Sequence, residues 1–176
     1  MFTSGGNQGK LIWLDGEPVT IAGRDRFVAV FYHVSAPLMD GTQKLGYMIY
    51  DAVADCTVSK GTVSCVATGG SLAWAGFDNQ GSLMALDSSG MLSMLICTPA
   101  AENETYTNWE WVPMLDTVGL RKSPDDSHWP ITAADGKLVC ILLKGGRKHP
   151  EATPRRPVQT TLGFRMPLAR GVLVQA

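Results

Sequence analysis

The chain has 176 residues, 45% of them hydrophobic, enough for one domain with a buried core and too many for a disordered segment. Its 19 glycines and 10 prolines are spread along the chain, which predicts many short elements joined by turns and makes all-β the natural fold class. The formal charge of −1 conceals an asymmetry: residues 1–136 hold 7 Lys and Arg against 15 Asp and Glu, a net −8, whereas residues 137–176 hold 8 against Glu151 alone, a net +7.

The first residues, MFTSGGNQGK, lack the charged-then-apolar order of a signal peptide, and no stretch reaches the roughly 18 apolar residues of a membrane span. A soluble, unsecreted chain with no membrane partner is expected. Three runs then read as strands from their Val, Ile, Tyr and Phe content: PVTIAG (18–23), RFVAVFYHV (26–34) and KLGYMIYDAV (44–53). PLMDGTQ lies between the last two, and its Asp-Gly dipeptide supplies the positive φ of a chain reversal; the same dipeptide stands at Asp15-Gly16 and Asp135-Gly136. His33 closes an aromatic strand with no second His at metal-binding spacing, so it reads as a packed or edge residue. Cys56, Cys65, Cys97 and Cys140 stand singly with no CxxC pair, which excludes a zinc knuckle and predicts buried, reduced thiols.

Residues 71–95, SLAWAGFDNQGSLMALDSSGMLSML, interrupt an apolar run twice, with DNQG and DSSG. The five residues between these turn signals are too few for a helix. The block therefore reads as three antiparallel strands in a meander, continued by a fourth at NWEWVPML (108–115), where Trp109 and Trp111 alternate with Glu110 and point to one face. Trp13, Trp74 and Trp129 lie within or beside strands and are expected in the core. Asn103-Glu104-Thr105 matches a glycosylation acceptor, which means nothing without an export signal.

A weak internal repeat organises these strands. VTIAGRDRFVAVFY, LAWAGFDNQGSLMAL and ITAADGKLVCILL each run from an apolar strand through a small residue and an Asp-containing turn to a second apolar strand. Aligned on Gly23, Gly76 and Ala134, the periods are 53 and 58 residues, which suits a four-stranded propeller blade with longer loops better than a sandwich. The chain encodes about three blades.

Chemistry is sparse by comparison. There is no GxGxxG, Walker loop, HExxH or GxSxG, and the acidic residues of a carboxylate pair (Asp15, Asp40, Asp78, Asp87, Asp135) sit at turns, where each has a local role. The segment Ser123-Pro124-Asp125-Asp126-Ser127-His128 holds a nucleophile, two carboxylates and an imidazole, but proximity in one loop does not make a triad, and it reads as a polar turn before a strand. KGGRKH (144–149) suits a phosphate-wrapping loop or an ordinary inter-strand connection. The clustered cations, above all Lys144, Arg147, Lys148, Arg155 and Arg156 with Arg165 and Arg170 beyond, are candidates for contact with phosphate or an acidic partner, or else form a solvated loop that balances an acidic body. No residue is assigned a catalytic, cofactor or metal role.

Taken in order, RFVAVFYH with DGTQKLGY, the 71–95 block, the W-x-P of Trp111-Val112-Pro113 and PRRPVQTTLGFRMPL (154–168) resemble the second β-propeller of the chromosome transmission fidelity four family, whose animal members are called WD repeat and HMG-box DNA-binding protein or acidic nucleoplasmic DNA-binding protein. The resemblance runs from about Leu11 to Leu168. It implies part of a six-bladed propeller over residues 1–170 and, in 171–176, a truncated tail where a helical bundle would begin. It further implies a nuclear, non-catalytic replisome adaptor without cofactors: a homotrimer linking the GINS component of the replicative helicase to DNA polymerase alpha-primase in DNA replication and sister chromatid cohesion. Client peptides in that family dock mainly on the helical bundle, to which no position here corresponds. A nucleic-acid-binding module that uses the basic C-terminal region, with DNA as a candidate partner, is the alternative.

Overall fold

The computed structural model describes residues 11–98, 108–151 and 156–165. These form eleven strands and, among the described residues, no helix. The strands are β1 (Glu17–Arg24), β2 (Phe27–His33), β3 (Leu45–Asp51), β4 (Cys56–Thr62), β5 (Leu72–Phe77), β6 (Leu83–Asp87), β7 (Met91–Thr98), β8 (Asn108–Asp116), β9 (Ser127–Ala134), β10 (Lys137–Leu143) and β11 (Gln159–Gly163). They pair into three antiparallel sheets in strict chain order, β1 to β4, β5 to β8 and β9 to β11. Strands β1, β5 and β9 lie side by side, so the first strand of each sheet is the innermost one. This is part of a β-propeller, three blades long.

The repeat falls where its period placed it. Gly23, Gly76 and Ala134 all lie near the ends of the innermost strands, and each repeat unit is the first hairpin of a blade. The 71–95 block folds as β5, β6 and β7 with β8 following, as read from the two turn signals. Two strands had no clear signature: β4, CTVSKGT, has one large apolar residue in seven, and β11, QTTLG, is short and polar.

The middle blade is buried on both sides, which is why its sequence is the most apolar. Along β6, Leu83 and Ala85 face the first blade in one cluster with Phe31, Leu45, Tyr47, Ile49, Leu95 and Trp111, while Met84 and Leu86 face the third blade in another with Leu92, Met94, Ala133, Leu138, Cys140 and Leu162. All five residues of β6 are buried. Each large side chain removed from water contributes about 1.5–3 kcal/mol. The Trp111 ring stands edge-on to Tyr47, with centroids 5.6 Å apart, and is tilted against Phe31 at 6.4 Å, joining the first two blades. Trp109 also packs on this cluster, so the two alternating tryptophans do share a face.

Aspartates shape the turns. The Asp78 carboxylate accepts the amides of Gln80 and Ser82, Asp87 those of Met91 and Ala67, Asp116 those of Val118 and Gly119, and Asp51 those of Val53 and Ala54. The amides of Ala54 and Val53, with the Arg26 guanidinium at 2.7 Å, hold the Asp51 carboxyl below its ordinary range. Asp135 and Gly136 both have positive φ, 50° and 69°, and so make the reversal the Asp-Gly dipeptide predicts.

Several expectations need correction. Asp15-Gly16 is no hairpin: it precedes β1, and Gly16 is there because a Cβ would lie 1.7 Å from the His33 carbonyl oxygen. Trp13 and Trp129 are not core residues but 88% and 39% exposed, leaving only Trp74 packed in a cluster. The four thiols are free but not uniformly buried: Cys56 is exposed, Cys65 and Cys97 are half-buried and Cys140 is buried. Burial pushes the Cys65 thiol up to about 12 and the Cys140 thiol up to about 11.

Candidate functional site

The cations that cluster in the sequence divide in space. Lys137 and Arg165 flank the β9–β10 turn, whereas Lys144, Arg147, Lys148 and Arg156 lie beyond the opposite end of β10, roughly 20 Å away for six residues of extended chain. Arg155 and Arg170 lie outside the described residues.

At the second of these ends, the connection from β10 to β11 bounds a cleft of about 530 Å³. Its lining combines apolar Ile141, Leu143 and Val158 with the cations Lys144, Arg147 and Arg156. Lys148 is exposed nearby but does not line it. Arg147 lies 3.5 Å from Glu151, an exposed pair of little energetic value that leaves the cleft net positive. The exposed Trp129 ring meets His149 edge-on at 5.4 Å beside it.

The glycines of KGGRKH let the backbone turn. Gly145 and Gly146 take φ of 66° and 72°, and the Gly146 amide donates to the Asp125 carbonyl at 2.8 Å, so that amide is already engaged. The Ser127 hydroxyl donates to the Arg147 carbonyl at 3.1 Å. These two bonds bind the end of the β8–β9 loop, residues 117–126, and the start of β9 to the β10–β11 loop. Sequence reading missed the result: the loop that carries Arg121 and Lys122 is tied at Asp125 to the basic β10–β11 connection.

The Ser123 to His128 segment is the turn the sequence suggests, with the Asp126 amide donating to the Ser123 carbonyl at 3.0 Å. No triad forms there: Ser127 donates to a main-chain carbonyl, and burial followed by the nearby Arg121 charge lowers the basicity of His128. His33 sits half-buried at the end of β2. Among the described residues no three His, Cys, Asp or Glu side chains converge on a metal-sized site. No helix is long and apolar enough to cross a membrane, again among the described residues.

A second constellation joins the blades on the opposite face. Arg24 in the first blade donates through Nη2 to the Asn79 carbonyl in the second at 2.9 Å. The Asn79 side chain in turn donates to the Asp135 carboxylate in the third at 2.6 Å and accepts the Asp135 amide at 3.0 Å. The tips of the three first hairpins are thereby strung together.

Residues 1–168 match the family model described as minichromosome loss protein, Mcl1, middle region. The chain belongs to this family. Among curated relatives of this Mcl1-family chain, Protein ENHANCER OF LHP1 1 of Arabidopsis thaliana is 30% identical over 169 residues, covering 96% of this chain and 17% of the relative. Minichromosome loss protein 1 of Schizosaccharomyces pombe is 34% identical over 136 residues, covering 73% of this chain and 15% of the relative. WD repeat and HMG-box DNA-binding protein 1 of Homo sapiens is 29% identical over 170 residues, covering 95% and 14%. The Mcl1-family chain thus spans less than a fifth of the length of these relatives, and the resemblance read from residues 11–168 is to the family the model identifies.

Proposed function

We propose that this chain supplies part of the middle propeller of a non-catalytic chromosome-replication adaptor in the nucleus. In this reading the parent protein assembles as a homotrimer through the propeller and links the GINS component of the helicase to DNA polymerase alpha-primase. The observation that carries the reading is the family match over residues 1–168, together with relatives whose names speak of minichromosome loss and DNA binding. The architecture supports it: the described strands build three blades of a propeller. Sedimentation of the full-length parent protein, intact and with residues 11–165 deleted, tests it. The intact protein is expected to be trimeric and the deletion monomeric, with GINS capture reduced. A deletion that stays trimeric would remove the propeller from assembly.

The basic end of the third blade favours one second reading, contact with nucleic acid. Lys144, Arg147 and Arg156 line one cleft, with Lys148, Arg121 and Lys122 on the adjoining loops. Binding through several phosphates weakens steeply with salt because counterions are released. Substituting Lys144, Arg147 and Arg156 together by Gln is expected to lower duplex affinity at low salt at least tenfold and to flatten the salt slope. Unchanged affinity would dispose of this reading.

A further inference from the structure

The segment Ser123-Pro124-Asp125-Asp126 has a place in the fold that neither reading uses. Pro124 occupies the second position of a β-turn closed by the Asp126 amide on the Ser123 carbonyl, the position whose φ proline already matches. Pro124 and Asp125 are exposed and Ser123 is half-buried. The Ser123 hydroxyl precedes a residue with no amide hydrogen, which is the local chemistry a proline-directed kinase accepts.

The surroundings supply what a phosphate would need. Arg121, two residues before Ser123, has a buried Nε with no hydrogen-bond partner, so this guanidinium has unused donor capacity. Lys122 is exposed beside it. The Gly146 amide on the Asp125 carbonyl and the Ser127 hydroxyl on the Arg147 carbonyl hold Lys144, Arg147 and Lys148 on the neighbouring loop. Within residues 117–126, 144–151 and 156, six cations (Arg121, Lys122, Lys144, Arg147, Lys148, Arg156) face three carboxylates (Asp125, Asp126, Glu151), a net +3. Asp125 and Asp126 repel an added anion, and the six cations outnumber them.

We propose that Ser123 is a phosphorylation site for a proline-directed kinase, and that its phosphate closes on the cations of the 121–122 and 144–148 segments. In the transfer, the Ser123 hydroxyl oxygen bonds to the γ-phosphorus of ATP, the bridging bond from that phosphorus to the β-phosphate oxygen breaks, ADP leaves, and the hydroxyl proton passes to the base of the kinase. A phosphoserine brings about −1.5 to −2 charges and three strong acceptor oxygens. Charge-assisted bonds from Arg121 and Arg147 then tie the β8–β9 loop to the β10–β11 loop. The basic end falls from +3 to near +1, so its attraction for nucleic acid drops; that last consequence, unlike the tying of the loops, rests on the second reading above.

The test uses the full-length parent protein with ATP and a proline-directed kinase, beside a synthetic peptide of residues 117–131. Mass spectrometry is expected to place one phosphate on Ser123 of the protein, lost in Ser123→Ala and in Pro124→Ala. Amide exchange in residues 117–126 and 144–151 is expected to slow several-fold on phosphorylation, and Arg147→Ala to cancel the slowing in 144–151. A peptide that is modified while the protein is not, or neither being modified, overturns the site. Modification with unchanged or faster exchange in both loops overturns the role of the cations. Duplex binding is read separately, so failure of the nucleic-acid reading leaves both of those results intact.

Discussion

Single side chains in this fold divide by whether their neighbours leave them any freedom. Gly16 has none: a methyl group there would sit 1.7 Å from the His33 carbonyl oxygen at the end of β2. Gly16→Ala is expected to cost roughly 2–4 kcal/mol, read as a lower denaturant midpoint at unchanged slope. The thiols offer a contrast in reactivity. With Cys65 held up to about 12 and Cys140 to about 11, neither carries appreciable thiolate at pH 8, and alkylation of the folded protein there is expected to mark the exposed Cys56 and spare both. The same shifts set a pH dependence. In the unfolded chain these thiols ionise near 9, while the folded chain keeps their protons, so folded stability falls as pH rises from about 9 towards 11 and 12. Urea titrations at pH 8 and pH 10 test the sign; equal midpoints would show that the buried thiols do not couple to folding.

At the scale of strands and hairpins, the polar chain Arg24, Asn79, Asp135 does what apolar packing does not, since it locks the angular position of one hairpin tip against the next. Asn79→Ala removes both bonds to Asp135 and leaves the Arg24 contact, which is to the main chain. The expected loss is roughly 1–2 kcal/mol, with faster amide exchange in β9 and β10 and little change in β2 and β3. Uniform acceleration across all three blades would show that the tips act only through global stability. Most of these elements were legible in the sequence, because DNQG, DSSG and Asp135-Gly136 are local signals and the apolar strands between them are short. What was not legible depended on neighbours. Nothing within CTVSKGT says that it will pair with β3 from the outer edge of a blade, where polar residues are tolerated. Trp129 looks like a core residue until its strand proves to be innermost and its side chain half open. The basic run was visible, but its division between two ends of β10, and the addition of Arg121 and Lys122 from another loop, required the hairpin order of the third blade.

For the molecule as a whole, the two interblade clusters hold most of the buried apolar residues, with Tyr32, Met48 and Tyr50 buried outside them in the first blade, and parts of the outermost described faces lie open. Ile21 is 68% exposed on β1 and Ile131 50% on β9, and Trp13 and Trp129 are exposed as well. The third blade shows three strands among the described residues where its neighbours have four. Residues 11–165 on their own are therefore expected to be marginally stable and prone to associate, with a shallow denaturant transition and sedimentation above the monomer mass. A soluble monomer with one steep transition would mean that the exposed faces cost less than their area suggests. The strict order of strands within each sheet has a further consequence for synthesis on the ribosome. Among the described residues every strand pairs only with its neighbours in sequence, so no described strand of the first two blades waits for a later one to complete its ladder. The first sheet has all its partners once Thr62 has emerged and the second once Asp116 has, which lets each blade form during translation and offer the next a finished surface to settle on.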